Sequence, residues 1–150
     1  MSMTTDTVRR HTWTLRMHPG DLVFARLDPG SDLPEWARGV RPFSTVSWTP
    51  DETSVLAPVD VVPDDVDRFG PWRAFEVEGG VEFLLTGVLH GIIAPLAQSH
   101  LAVTTLSTYR TDWILVPADQ AEAAVNVWRY AGFIVNVEGE ASDDAEGARG

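Results

Sequence analysis

Hydrophobic positions in the second half of the chain follow two periods, one typical of helices and one typical of strands. Between Gly87 and Gln98, apolar residues recur at three- and four-residue spacing, which predicts a helix with Pro95 late in it. Short apolar runs predict strands, and a second helix is expected to start at Pro117 and stop at Gly132. The predicted order is a strand at 81–85, a helix at 87–98, strands at 101–106 and 113–116, a helix from 117 up to Gly132, and a strand at 133–137.

This order is that of the ferredoxin-like unit, in which two helices cover one face of an antiparallel sheet. The first half resembles a degenerate copy of the same unit, in which the second helix is reduced to residues 64–68. A shift of 60 residues places Ser47 on Ser107 and Glu52 on Asp112, a weak internal repeat. We therefore expect an α+β protein of tandem ferredoxin-like units, the first degenerate. The predicted elements of the first half are strands at 22–27, 43–48, 53–57 and 72–77 and a short helix at 33–37.

The polar connection between strands 101–106 and 113–116 is a candidate site. It offers a ring at Tyr109, a carboxylate at Asp112, and hydroxyls that include Thr108. A tight polar connection between buried strands can present groups to a ligand, and these groups suit a small zwitterion or amine. The alternative is a hairpin whose polar groups satisfy their own backbone, and spacing alone favours that alternative.

A second candidate lies where strand 81–85 turns into the following helix. Backbone N–H groups at the start of a helix favour a carboxylate, and Gly87 permits close approach of a ligand to the backbone. The alternative is a plain helix cap made by Thr86, which is the favoured interpretation when the segment is taken alone.

Composition and charge exclude several classes of function. The 150 residues contain no Cys and no Lys, which excludes thiol catalysis, Cys-based metal centres and Lys Schiff bases. A net charge of −11 without a basic stripe argues against nucleic acid and anionic membranes as partners. No apolar run reaches the roughly 20 residues of a membrane span. The four His show no metal-ligand spacing and no nucleophile setting or cofactor loop occurs, so we expect no metal, no cofactor and no catalysis.

The ends of the chain differ from its body. Residues 1–10 and the acidic residues 139–150 have too little apolar content to dock, and we expect both to be disordered. Between them we expect a degenerate first unit at 11–78 and a second unit at 79–138.

Residues 107–116 read Ser-Thr-Tyr-Arg-Thr-Asp-Trp-Ile-Leu-Val. This segment resembles the signature of ACT-domain proteins of the CASTOR type, a group that includes the cytosolic arginine sensors of animals and short bacterial proteins. Segments 49–55, 72–75 and 85–89 agree with the group in the same order, and the resemblance covers roughly residues 20 to 137.

The resemblance implies a non-catalytic regulatory or sensor module that binds a small amino acid between ACT units. The α-carboxylate of that amino acid would meet the backbone at Gly87, Val88 and Leu89. Asp112 would pair with an ammonium group or a basic side chain.

Further implied contacts come from Thr108 and Tyr109, which would line the pocket, and from Ala102 and Val103, which would reach the ligand from the adjoining unit. In the arginine sensors one of the latter two positions carries a hydroxyl, which Ala102 lacks, so the resemblance does not favour arginine. It further implies a cytoplasmic homodimer with Val88, Ile92 and Ala102 near its seam. The alternative is a ligand-free module that only dimerises or binds another protein.

Overall fold

The computed structural model describes residues 13–78 and 88–139. The predicted strand 81–85, Thr86, Gly87 and nearly all of both predicted tails lie outside these residues. The strands are β1 (Thr14–Met17), β2 (Leu22–Leu27), β3 (Thr45–Trp48), β4 (Thr53–Pro58), β5 (Asp67–Glu78), β6 (Thr104–Ser107), β7 (Asp112–Pro117) and β8 (Ile134–Val137). The helices are α1 (Val88–Gln98) and α2 (Ala121–Tyr130), and 3-10 turns occur at Glu35–Ala37 and Ala118–Gln120.

Strand β5 joins the two halves of the molecule into one sheet. Along one edge it pairs antiparallel with β2 and then with β1, and along the other edge it pairs antiparallel with β7. Trp72 marks the crossover, because it pairs with Leu22 on one side and with Pro117 on the other. Strands β1 and β2 therefore lie end to end along the same edge of β5.

The first half has the strand order β3-β4-β2-β5, with every neighbouring pair antiparallel. This is the ferredoxin-like order, and it confirms the predicted architecture of the first unit. Its first helix is only the turn Glu35–Ala37. The predicted helix remnant at 64–68 is wrong, since no helix occurs between residues 59 and 66 and Asp67 and Arg68 open β5. The apolar residues there, Val62 and Val66, cover the sheet from an irregular loop instead.

The second half has the order β6-β7-β5-β1-β8. Strand β5, predicted only over 72–77, is twelve residues long and lies beside β7. Strand β1 was not predicted. It separates β5 from β8 and runs parallel to β8, which departs from a wholly antiparallel sheet.

Helices α1 and α2 cover the same face of this half of the sheet, as predicted. Trp128 of α2 is fully buried there, its Nε1 donates to the carbonyl oxygen of Ile92 at 2.8 Å, and its ring meets Phe75 edge-on with centroids 4.8 Å apart. Burying a large apolar side chain contributes about 1.5–3 kcal/mol, so this layer supplies much of the stability of the second half. The cluster comprises Leu15, Phe75, Val77, Ile92, Leu96, Ile114, Val116, Ala121, Ala124, Val125, Trp128 and Val135.

Each helix ends in a residue with a left-handed backbone. After α2 this residue is Gly132, at φ +97°, which confirms the predicted stop. After α1 it is His100, at φ +60°, and the N–H of Leu101 reaches back to the carbonyl of Leu96 at 2.9 Å. Both ends have the geometry of a Schellman cap, and at His100 a side chain occupies the position that glycine favours.

The opposite face of the sheet forms a second buried cluster that contains residues of both halves. Leu22, Leu56, Trp72, Trp113 and Leu115 are each at most 8% exposed although neither α1 nor α2 packs against them. They come from β2, β4, β5 and β7 and pack against one another, with Phe24, Phe43 and Leu106 packed around them.

The hairpins β3–β4 and β6–β7 confirm the internal repeat but correct its register. The N–H of Thr49 donates to the carbonyl of Glu52, and the N–H of Thr108 donates to that of Thr111. Thr49 therefore corresponds to Thr108, a shift of 59 and not the predicted 60. A shift of one residue exchanges the two faces of a strand, and with 59 Leu56 falls on Leu115 in the same cluster. Asp112 then corresponds to Thr53, not to Glu52.

The substitution Trp128→Phe tests the helix layer. It keeps an aromatic ring but removes the hydrogen bond to Ile92 and part of the buried volume, so the free energy of unfolding should fall by about 1–3 kcal/mol. Tyr130→Phe is the matched control on the same helix, because Tyr130 is 97% exposed. Urea unfolding should show the control within about 0.5 kcal/mol of the parent protein. Equal losses for the two variants would contradict the packing described here.

Candidate functional site

The loop of the β6–β7 hairpin is closed by hydrogen bonds among its own polar groups. The N–H of Thr108 donates to the carbonyl of Thr111 at 2.8 Å, and the N–H of Thr111 donates to Oγ1 of Thr108 at 3.1 Å. The two threonine hydroxyls lie 2.5 Å apart. At Thr108 the arrangement is the self-satisfied turn that we considered as the alternative to a ligand site.

The β3–β4 hairpin repeats these contacts with Thr49 in the place of Thr108. Oγ1 of Thr49 accepts the N–H of Glu52 at 3.1 Å and lies 3.3 Å from its carbonyl oxygen. Oγ1 of Thr108 accepts from Thr111 at 3.1 Å and lies 3.4 Å from its carbonyl oxygen. Because the same hydroxyl closes both turns, Thr108 has a structural role that does not depend on any ligand.

Asp112 opens β7 and is partly buried. Oγ of Ser107 donates to its Oδ1 at 2.5 Å across the directly paired positions of the hairpin. Among the described residues no donor reaches the second oxygen, Oδ2. Half of this carboxylate is thus available to a further donor.

Tyr109 lies at the tip of the hairpin and is 92% exposed, so it is not packed against the described part of its own chain. Val88 and Leu89 form the first residues of α1 and are partly buried. Gly87, the third residue predicted at this helix start, lies outside the described residues.

Ala102 and Val103 precede β6, whereas Thr108 and Tyr109 follow it. The two groups are separated by the four residues of β6, a rise of roughly 13 Å. Ala102 is exposed, with its N–H bound to Oε1 of Gln120 at 3.2 Å, and Val103 packs against the core under the helices. A single chain therefore does not bring the predicted residues into one small pocket.

One residue predicted near a dimer seam is wrongly placed. Ile92 is completely buried in the core between the sheet and the helices, where it accepts the hydrogen bond of Trp128. Helical periodicity identifies Ile92 as apolar but does not distinguish a core face from an interface face. Val88 and Ala102 retain exposed surface.

An aromatic and acidic cluster behind the hairpin was not predicted. Nε1 of Trp113 donates to Oγ1 of Thr111 at 2.8 Å, and the indole ring contacts Phe43 and His18 with centroids 4.5 and 5.0 Å apart. His18 in turn lies 2.9 Å from a carboxylate oxygen of Glu76. No local pattern indicates this cluster, because His18 and Glu76 are 58 positions apart and meet only through the pairing of β1 with β5.

Two further findings concern metal binding and membranes. Within residues 13–78 and 88–139 no group of three or more His, Asp or Glu side chains is arranged to hold a metal ion. No helix in the same part of the chain is long and apolar enough to cross a membrane.

The substitution Thr108→Val tests the structural role of the hairpin hydroxyl. It removes the acceptor for the Thr111 N–H, and the free energy of unfolding should fall by about 0.5–1.5 kcal/mol. Thr49→Val should cost a similar amount, since it breaks the equivalent contact. Thr105→Val is the control, because Thr105 is exposed on β6 and its hydroxyl makes no described contact. Urea unfolding of the three variants checks this, and a Thr108 variant as stable as the control would contradict it.

Comparison with known proteins adds a family match for part of the chain. Residues 70–129 match the ACT domain family, from within β5 to within α2. Among curated proteins none matches the chain.

Solved structures share the fold over most of the chain. A protein from Agobacterium tumefaciens is 28% identical, with 89% of this chain and 98% of that chain covered and a TM-score of 0.79. A protein from Vibrio cholerae is 13% identical over 80% of this chain and 90% of that chain, with a TM-score of 0.65. The regulatory subunit of aspartate kinase from Thermus thermophilus is 10% identical over 79% and 97%, with a TM-score of 0.56.

The two weaker likenesses show the fold alone. The family match covers the signature at 107–116, and the structural likenesses show a ferredoxin-like fold around it. Membership of the CASTOR-type subgroup stays a prediction. Residues 70–129, which include that signature, match the ACT domain family.

Proposed function

We propose that the protein is a non-catalytic regulatory module that binds a small amino acid at an interface between ACT units. ACT domains are regulatory modules that bind amino acids, and the family match spans the hairpin and the start of α1. The observation that carries the proposal for this chain is the free oxygen of Asp112 in a partly buried position. A carboxylate oxygen in this position can accept a charge-assisted hydrogen bond from a ligand ammonium.

The internal repeat supports this role for Asp112. Its counterpart in the first unit is Thr53, which is fully buried and accepts the N–H of Ser31 at 3.2 Å. Ser31 belongs to the connection between β2 and the following 3-10 turn. In the first unit the donor thus comes from the chain itself, and the acceptor is neutral. In the second unit the acceptor is a carboxylate, which suits the ammonium group of a ligand.

The remaining contacts follow the arrangement implied by the resemblance. The ligand carboxylate would meet the helix start at Gly87, Val88 and Leu89, where backbone N–H groups favour an anion. Thr108 and Tyr109 would border the ligand from the hairpin.

A second chain would complete the site. Ala102 and Val103 lie at the opposite end of β6 from the hairpin, so we propose that they reach the ligand from the adjoining unit of a partner protomer. Among the described residues β6 pairs with β7 alone, and its other edge is open for pairing. We also propose that the boundary between the two units lies at 78/79. Because the chain contains no Cys, we propose the cytoplasm as its compartment.

The alternative is a module that dimerises without a ligand. The closed hydrogen-bond pattern of the hairpin favours it, because Thr108 and Thr111 need no ligand to satisfy their polar groups. The two functions differ in whether Asp112 has a binding partner.

The substitution Asp112→Asn tests the proposed function. A charged hydrogen bond to a ligand ammonium is worth about 1.5–3 kcal/mol, so affinity for the bound amino acid should fall roughly ten- to a hundredfold. The melting temperature should change little, since the amide retains an oxygen for Ser107. Calorimetric titration against the twenty amino acids, first on the parent protein, identifies the ligand and measures the loss.

Asp60→Asn is the control for that experiment. Asp60 is exposed in the loop before β5, and its substitution changes the net charge by the same amount as Asp112→Asn. Unchanged affinity combined with a lower melting temperature for Asp112→Asn would assign Asp112 to the turn alone. No binding of any amino acid to the parent protein would favour the ligand-free module.

The proposed partner protomer predicts a dimer in solution. Sedimentation should give about twice the 16.5 kDa mass of the chain at micromolar concentration. Ala102→Arg should shift the equilibrium towards monomer by placing a charge at the proposed seam. Ala123→Arg, on the exposed side of α2, should not. A monomeric parent protein, or two variants that behave alike, would remove the basis for a shared site.

A further inference from the structure

We propose that the first unit carries a separate binding site for a small organic cation, on the face of the sheet opposite to α1 and α2. A groove of about 490 Å³ lies there, within the 300–1,000 Å³ range typical of sites for small molecules. It is distant in sequence and in the sheet from the hairpin of the proposed amino-acid site. Its main lining residues are Phe24, Arg26, Glu52, Ser54, Asp67 and Phe69.

Strand register explains why these side chains share one face. Phe24 pairs with Phe69 and Arg26 pairs with Asp67 across β2 and β5. On the other side of β2, Arg26 pairs with Ser54 of β4. The groove therefore continues the face that buries Leu22, Leu56 and Trp72, but at its exposed end.

Two phenyl rings form the apolar walls of the groove. Phe69 is 66% exposed and lies where β5 pairs with β2 on one side only, since β7 joins β5 from Trp72 onward. Trp72 contacts both rings edge-on, with centroids 6.3 Å from Phe24 and 5.6 Å from Phe69. Because Trp72 is itself buried, the two rings rest on a fixed support, and the ring of Phe69 retains most of its surface.

Charges in the groove favour a cation. Arg26 pairs with Asp67 at 3.0 Å, and Arg68 donates to the carbonyls of Val62 and Pro63, the latter at 2.5 Å. The carboxylate of Glu52 is partly buried and has no side-chain partner among the described residues. Arg68 pairs in register with Ala25, so its side chain lies on the opposite face of the sheet, and among the described side chains on the face of the phenyl rings the charge of Glu52 is left without a counter-charge.

A cation with an apolar body satisfies both features at once. Its positive group would pair with Glu52, and its apolar part would lie between the phenyl rings, whose faces attract cations. An anion would meet the carboxylates of Glu52 and Asp67, and the cation on this face, Arg26, is already paired with Asp67. The inferred ligand class is therefore a primary amine or guanidine attached to a ring or short alkyl chain.

The test uses 2-phenylethylammonium and its neutral analogue 2-phenylethanol as probes in chemical-shift titrations of the full chain. The ammonium should perturb resonances of Phe24, Glu52 and Phe69, and the alcohol should bind several-fold more weakly. Glu52→Gln should weaken binding of the ammonium roughly two- to fivefold. Glu122→Gln is the matched control, since Glu122 is exposed on α2, and it should leave binding unchanged. Equal affinity for the two probes, or equal effects of the two variants, would overturn the proposal.

Phe69→Ala provides a second arm, because an exposed ring can be removed without loss of the core. It should weaken binding of the ammonium roughly three- to tenfold and leave the sedimentation coefficient unchanged. A change in oligomeric state would show that the groove is an interface between copies, and would overturn the cation site. Asp112→Asn should leave this binding intact, so a failure here is distinguishable from a failure of the amino-acid site.

Discussion

The fold depends on one strand that belongs to both halves of the molecule. Strand β5 (Asp67–Glu78) pairs with β1, β2 and β7, so the first and second units share a hydrogen-bonded core strand. Its side chains alternate between the helix-covered face, with Phe75 and Val77, and the opposite face, with Trp72 and Ala74. Disruption of β5 would therefore separate β1 and β8 from the rest of the sheet and expose the two buried clusters to which β5 contributes.

The same strand connects the candidate site to the body of the protein. Glu76 of β5 pairs with Trp113 of β7 and binds His18, and Trp113 binds the hairpin through Thr111. The sheet thus holds the hairpin through Trp113, and the hydroxyls of Thr108 and Thr111 close its loop. Such a rigid mounting suits a binding group, because little conformational entropy remains to be lost when a ligand is bound. Asp112 lies on this hairpin, and within the described part of the chain its Oδ2 has no donor.

Much of the second half was predictable because its periods are strong and local. The spacing of apolar residues locates α1 and α2, and the polar run between two apolar segments locates the β6–β7 hairpin. The extension of β5 could not be predicted, since 67–71 are exposed and include Gly70 and Pro71, which normally signal a turn. Strand β1 escaped prediction because its four residues gain their role only by pairing with β5 and β8, far along the chain.

The candidate site was predictable in position but not in detail. The sequence indicates hydroxyls and a carboxylate around Tyr109, yet it cannot tell a hydroxyl that closes its own turn from one that is free. The register of the internal repeat is an example, because the sequence fits a shift of 60 residues about as well as a shift of 59. The equivalent hydrogen bonds in the two hairpins and the shared cluster of Leu56 and Leu115 show that the shift is 59.

The most direct test of the central claim is a crystal structure of the protein with the amino acid that calorimetry identifies. We predict the ligand ammonium within about 3 Å of Oδ2 of Asp112, with Ala102 and Val103 of a second protomer on its other side. A ligand bound elsewhere, or an Asp112 that contacts only Ser107 in the complex, would contradict the account.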